Sequence, residues 1–341
     1  MRRCFLMLSA SLLIGSVQAE SGPETARQAE IHKVVEKIHE LYIDPDKVKN
    51  IGRALQRAEF ARPMSDEAFA KKVTDILSNE TRDPHLRLMY SVTPTSSGSS
   101  AAPTSSEIAR REEYLRAQNH GIERVERLPG NIGYLRTRFF APVTSSAPSI
   151  GAAMTLLANT DALIIDLRDN DGGSSAAVPF MASYLFDERK HIADLYTRKG
   201  DRTEQQWTSP AVPGVRYGGE KDVYLLTSKS TFSAAEGLAF ALRGQKRVTI
   251  VGETTRGGAH PSSIERISPH LALMVPTSTA RDPVTLQDWE GVGVAPDVAV
   301  PAVEALTRAQ ILILNKLELD ERDAASRAEV QARLIELAPS S

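Results

Sequence analysis

The chain has 341 residues, of which 43 are acidic and 41 basic, for a formal net charge of −2. That length can hold one large core or two modest ones, and a pI near 6.4 excludes the strongly basic footprint of a nucleic-acid binder. The single cysteine, Cys4, precedes everything that reads as fold, so disulfides, thiolate catalysis and cysteine zinc sites are excluded from the mature chain.

Arg2 and Arg3 precede an apolar run from Cys4 to Val17, and Val17-Gln18-Ala19 offers a small-residue cleavage site before Glu20. Residues 1–19 therefore read as an export signal of the general secretory kind, which implies a periplasmic or secreted protein. The run is short for a membrane span, and no other segment has the apolar length to cross a bilayer.

Residues 20–90 read as an N-terminal helical domain. Ile31, Val34, Val35, Ile38 and Leu41 recur at helical spacing, as do Phe69, Val73, Ile76 and Leu77, with breaks at Asp44-Pro45 and at 62–66. Residues 91–106, rich in Ser, Thr and Pro, read as a low-complexity linker. A charged helix from Glu107 to Gln118 follows. Strands are then expected at Asn131–Phe140, Ala162–Leu167, Asp222–Thr227 and Arg247–Val251, with helices at Ile150–Leu157, Ser174–Phe186 and Ala234–Leu242. This alternation over residues 107–301 implies a layered α/β core with a partly parallel sheet. Ile264–Ile267 and Leu271–Val275 suit a hairpin on the edge of that sheet, and 302–341 reads as a C-terminal helical segment.

Several segments can carry chemistry. Ser233 stands between a strand and a helix, where free helix N–H groups suit an attacking hydroxyl and a developing oxyanion; an N-cap serine uses the same position. Gly172-Gly173, after a strand, can form an oxyanion hole, a phosphate cradle or a tight turn, and the Gly-Lys-Ser/Thr ending of a Walker loop is absent. His85, in Asp83-Pro84-His85, can supply the general base that a serine needs. His260, at the end of the glycine-rich run 252–260, is a second candidate base or a solvated loop residue. Glu290, beside Trp289, can orient an imidazole or sit on the surface. No His/Asp/Glu spacing matches a metal site, and none of this chemistry calls for a cofactor.

Taken together and in order, Asp83-Pro84-His85, Asp166-Leu167-Arg168-x-Asn170-x-Gly172-Gly173, Thr231-Phe232-Ser233-Ala234-Ala235-Glu236, Gly252-Glu253-Thr254-Thr255-x-Gly257-Gly258-Ala259 and Gly291-Val292-Gly293-Val294-x-Pro296-Asp297 resemble the tail-specific, or carboxyl-terminal processing, serine peptidase family. The resemblance is to its branch related to interphotoreceptor retinoid-binding protein and the tricorn protease core. It implies a crotonase- or ClpP-like core behind a helical N-terminal domain, and a peptide or protein substrate. It also implies Ser233 as nucleophile, His85 as base, Glu290 as its orienting group, and an oxyanion hole from the N–H groups of Ala234 and of Gly172 or Gly173. The bacterial processing branch activates its serine with a lysine where this chain has Gly258, and the tricorn-like branch has a serine where this chain has Pro84. Too few residues separate His85 from Asn131 for the substrate-tethering PDZ domain of the processing branch. Retinoid-binding relatives keep the fold while carrying lipophilic ligands, so a catalytically silent binding module is the alternative expectation.

Overall fold

The computed structural model describes residues 23–58, 60, 64–94, 104–318 and 324–338. The expected export signal lies outside them, as do residues 95–103 of the expected linker. Among the described residues no helix is long and apolar enough to cross a membrane.

The chain begins with three helices, α1 (Pro23–Leu41), α2 (Pro45–Arg57) and α3 (Asp66–Thr81). Val34, Ile38 and Leu41 recur on the buried face of α1, and Phe69, Val73 and Leu77 on that of α3. The sequence breaks are caps. Asp44 accepts a hydrogen bond from Asp46 N at 3.2 Å with Pro45 at the first helical position, and Ser65 Oγ accepts from Ala68 N at 3.2 Å. At its far end α3 closes on Arg82 in the left-handed region (φ 57°), turning the chain into Asp83-Pro84-His85 and strand β1 (Arg87–Tyr90).

After α4 (Ser105–Ala117), whose N-terminus is a capping box between Thr104 and Glu107, come β2 (Ile122–Leu128), β3 (Ile132–Thr137), α5 (Val143–Leu157), β4 (Ala162–Asp166) and α6 (Ala177–Ala182). Next are β5 (His191–Thr197), β6 (Arg202–Trp207), β7 (Asp222–Thr227), α7 (Ala234–Gly244) and β8 (Thr249–Gly252). The chain continues through β9 (Ser262–Ser268), β10 (Leu271–Pro276), β11 (Ser278–Arg281) and β12 (Val298–Ala299). It closes with α8 (Ala305–Glu318) and α9 (Ala324–Leu337).

The central sheet has six strands in the order β12-β8-β7-β4-β3-β2, parallel from β12 to β3 and antiparallel at β2. Strand periodicity divides its apolar residues between two layers. Leu163, Ile165, Val223, Leu225 and Ile250 pack against α5, α6 and α7. Ala162, Ile164, Tyr224, Leu226 and Val251 pack against α8 and α9. Covered on both faces, β4 and β7 read as continuous apolar runs. A second core lies between α1–α3 and the small sheet β1-β10-β9, and a third sheet, β11-β5-β6, stands beside it.

Two expectations are corrected. The β9–β10 hairpin is not on the edge of the central sheet. It pairs with β1, because Ile267, Leu271, Leu273 and Val275 bury against the N-terminal helices. The helix expected from Ser174 starts only at Ala177, since Ser174 N donates to Phe140 O at 2.8 Å and holds the chain extended there. Strands β1, β2, β5, β6, β11 and β12 were not read from the sequence; β6 (Arg-Thr-Glu-Gln-Gln-Trp) is polar and exposed almost throughout, with no alternation to reveal it.

Candidate active site

The site forms at the C-terminal ends of β4 and β7, where parallel sheets present ligand-binding loops. The turn after β7 carries Ser233 into α7 with φ 56° and ψ −120°, a backbone conformation that costs a non-glycine residue on the order of 1–3 kcal/mol. Three bonds hold it there. Phe232 N donates to Asn170 O at 3.0 Å, Gly237 N donates to Ser233 O at 2.9 Å, and Ser233 N donates to Glu236 Oε2 at 2.8 Å. Glu236 is fully buried, and its carboxylate also accepts from Thr255 Oγ1 (2.5 Å), Gly257 N (2.6 Å) and Gly258 N (2.9 Å). Burial pushes its pKa up while these four donors pull it back, with a net rise. One carboxylate thus ties the serine turn to the glycine-rich loop after β8.

His85 reaches the serine from the other core, with Nε2 3.2 Å from Ser233 Oγ. Its ring stacks on Phe232 at 4.6 Å between centroids and 22° between planes. Burial holds its pKa down at about 4, so it is a neutral imidazole at neutral pH. The side chain is only 5% exposed, and its Nδ1 has no hydrogen-bond partner among the described residues. Asp83 Oδ1 lies 3.9 Å from that Nδ1 and accepts the backbone N–H of His85 at 2.9 Å.

The hydrogen bond expected between Glu290 and His85 is not formed: the Glu290 carboxylate faces Ala259 N and His260 instead. Glu290 still stands in the same cluster, one atom each of Asp83, His85 and Glu290 lying within 4.8 Å of one another. Among the described residues this is the one set close enough to suit a metal ion, but donors already engage both carboxylates. Ala259 N donates to Glu290 Oε2 at 2.6 Å, and Tyr42 Oη donates to Asp83 Oδ2 at 3.3 Å. Burial and the nearby Asp83 charge raise the Glu290 pKa to about 7. His260, the other candidate base, is placed against Asp83 instead, with Nδ1 2.8 Å from Oδ2.

Of the three N–H groups expected at an oxyanion hole, that of Gly172 is corrected: it donates to Asn170 Oδ1 at 2.8 Å and is not free to bind a ligand. Gly173 and Ala234 both line the cavity beside Ser233. Gly173 has φ 130°, and a Cβ there would stand 2.3 Å from Phe140 O, so no other residue fits. At Gly258 a Cβ would meet Phe232 Cε2 at 2.3 Å and His85 Cε1 at 2.7 Å. The stacked His85 and Phe232 rings therefore occupy the room that a side chain at position 258 would need.

Ser233 and His85 open into a cavity of about 340 Å³ whose walls include Val178, Leu195, Phe240, Ala241, Ala280 and Trp289. Trp289 is fixed in its wall by donating Nε1–H to Gly258 O at 3.0 Å. The sequence reading gave no role to Asp83, Asn170, Phe232 or Glu236. Glu236 had a readable signal, since it stands three residues after Ser233 in the Ser-x-x-Glu pattern of a helix start.

Comparison with known proteins bears on family and fold. Residues 131–300 match the sequence model of peptidase family S41. Carboxyl-terminal-processing peptidase 2, chloroplastic, of Arabidopsis thaliana is 28% identical over 188 residues, covering 51% of this chain and 34% of the relative. The carboxyl-terminal-processing protease of Synechocystis is 27% identical over 175 residues, covering 50% and 39%. The chain thus spans little more than a third of the curated relatives it matches. A solved photosystem II D1 C-terminal processing protease shares the fold at a TM-score of 0.52 and 15% identity, over 83% of this chain and 96% of that one. By its matched core, residues 131–300, the chain belongs to peptidase family S41.

Proposed function

We propose that the protein is an exported serine-type peptidase that hydrolyses peptide bonds next to an apolar side chain. The observation that carries the reading is the 3.2 Å approach of His85 Nε2 to Ser233 Oγ across two separate cores. Ser233 Oγ attacks the scissile carbonyl while His85 Nε2 takes its proton, and the N–H groups of Gly173 and Ala234 hold the oxyanion. The carboxylates behind His85 stabilise the imidazolium, Asp83 from 3.9 Å off Nδ1 and Glu290 from the same cluster. His85 then gives the proton to the leaving amine, and water, activated by the same imidazole, releases the acyl group. The apolar cavity beside Ser233 takes the side chain on the acyl side of the bond. Helices on both faces of the central sheet support a crotonase- or ClpP-like reading of the core. Export is supported by the charged and apolar start of the chain, and N-terminal sequencing of the mature protein tests it, with Glu20 as the expected first residue.

Quenched fluorescent peptides bearing Leu, Ala or Asp before the scissile bond test the function. Cleavage that depends on Ser233 and favours Leu and Ala over Asp is expected; cleavage unchanged in S233A, or equal for Asp, contradicts it. The apolar cavity walls favour a second reading, a carrier of a lipophilic ligand. That reading has no use for the Ser233–His85 contact, and retinoid binding without any Ser233-dependent turnover supports it.

A further inference from the structure

Behind His85 the fold brings together two carboxylates, Asp83 buried and Glu290 partly buried. Asp83 comes from the turn after α3 and Glu290 from the loop before β12, with His260, from the loop joining β8 to β9, between them. His260 Nδ1 lies 2.8 Å from Asp83 Oδ2 and 3.5 Å from Glu290 Oε2. Asp83 is 2% exposed and His260 9%. With the Asp83 side chain 1% and the Glu290 side chain 16% exposed, ionising both is unfavourable without a counter-charge. The serine, base and carboxylate of the proposed reaction make no use of His260, yet removing it would leave that pair unbalanced.

We propose that His260 is a positioning residue whose imidazolium lies against both Asp83 and Glu290 and keeps Glu290 ionised to lower pH than the two carboxylates alone would allow. The inference rests on the Ser233–His85 reading of the site. The groups facing His260 are Asp83, on the turn after α3, Glu290 and Asp288, on the loop before β12, and His85, whose pKa the His260 charge lowers. Tyr42, at the end of α1, reaches the same Asp83 carboxylate, while Arg87 and Arg256 act on His85 from its other surroundings. The electrostatic directions agree with this arrangement. Burial raises Asp83, but the hydrogen bond from His260 brings it below its ordinary value. Burial lowers His260, but the Asp83 bond and the Glu290 charge carry it above. Burial and the Asp83 charge raise Glu290, and His260 pulls it back. A neutral residue in place of His260 removes the cation that, among the described residues, lies within 4 Å of both carboxylates and opposes protonation of Glu290.

The test is the pH profile of kcat/KM for the full-length mature protein on an apolar peptide, comparing wild type, H260Q and H260Q/D83N, with melting curves to confirm that each is folded. Glutamine keeps a donor for Asp83 but carries no charge. The acid limb of H260Q is expected to move upward by about one pH unit or more, and removal of the Asp83 charge in the double variant is expected to bring it back toward wild type. An unmoved limb in H260Q, or no recovery in the double variant, overturns the proposal. Nitrogen chemical shifts of His260 in the wild type give a readout that needs neither activity nor a variant. An imidazolium that persists above the ordinary histidine titration range is expected, and a ring that loses its proton within or below that range overturns it. A protein with that imidazolium but without Ser233-dependent turnover would sink the peptidase reading and leave the charge bridge standing.

Discussion

His85 and Ser233 lie 148 residues apart in the chain and meet at 3.2 Å, Nε2 to Oγ. Each is delivered by a different core. The serine sits on the turn between β7 and α7 over the central sheet, and the histidine on the turn between α3 and β1, which pairs with the β9–β10 hairpin. The contact therefore depends on the loop from β8 to β9 that connects the central sheet to the small one.

Gly258 on that loop is expected to be intolerant of any side chain. In G258A the new methyl must displace Phe232 or His85, each closer than 3 Å to it. Overpacking of this kind costs about 1–3 kcal/mol, and the base is moved from its serine. A fall in kcat/KM of about a hundredfold is expected, with the fold kept by circular dichroism, since a 1 Å misplacement can cost that much. Activity equal to wild type would show that the stack does not position His85.

Glu236 is expected to matter more to stability than an exposed glutamate would. Its carboxylate gathers four donors in a fully buried place. E236A leaves all four unsatisfied, and a loss of about 3–5 kcal/mol in denaturant unfolding is expected. A change below about 0.5 kcal/mol would mean that the turn is held by other contacts.

The pH dependence of stability has two opposing parts. His85, with a folded pKa near 4 against about 6.5 when unfolded, stabilises the fold above pH 6.5 and loses that contribution as pH falls from 6.5 toward 4. Glu290, with a folded pKa near 7 against about 4.5, stabilises below pH 4.5 and loses its contribution as pH rises toward 7. Each spans roughly 3 kcal/mol, so the wild type is expected to show a shallow profile between pH 4.5 and 6.5. H85N should then lose stability as pH rises through that window, and E290Q as pH falls. Unfolding free energies at three pH values check this; parallel profiles for the two variants would contradict the shifts.

Cavity shape is expected to set the choice of acyl-side residue. A241L narrows the space lined by Ala241, Phe240 and Trp289. Turnover of Leu peptides should fall by about 10–200-fold while that of Ala peptides is largely kept, the range that one or two methylene groups give in an apolar pocket. Equal losses for both would place the side chain elsewhere.

Much of this was legible in the sequence wherever local pattern and local chemistry coincide. Leu163, Ile164 and Ile165 form an apolar run because β4 is covered on both faces, and the strand-to-helix setting of Ser233 is written in adjacent residues. What was not legible depends on the joining of distant segments. Asp83 and His260 are 177 residues apart, and nothing in either neighbourhood announces their 2.8 Å contact. The engagement of Gly172 N–H by Asn170 was hidden for another reason. Both residues belong to one glycine-rich turn, and only the backbone path decides which N–H turns outward. Strand β6 escaped because an exposed edge strand has no buried face to impose alternation on its sequence.

The central claim, that Ser233 is a nucleophile activated by His85, is tested most directly with a fluorophosphonate, whose adduct is located by peptide mapping in wild type and in H85N. Stoichiometric phosphonylation of Ser233 in the wild type, slowed by about a thousandfold in the variant, is the expected result. A wild type that carries no adduct on Ser233, or one that labels no faster than H85N, would contradict it.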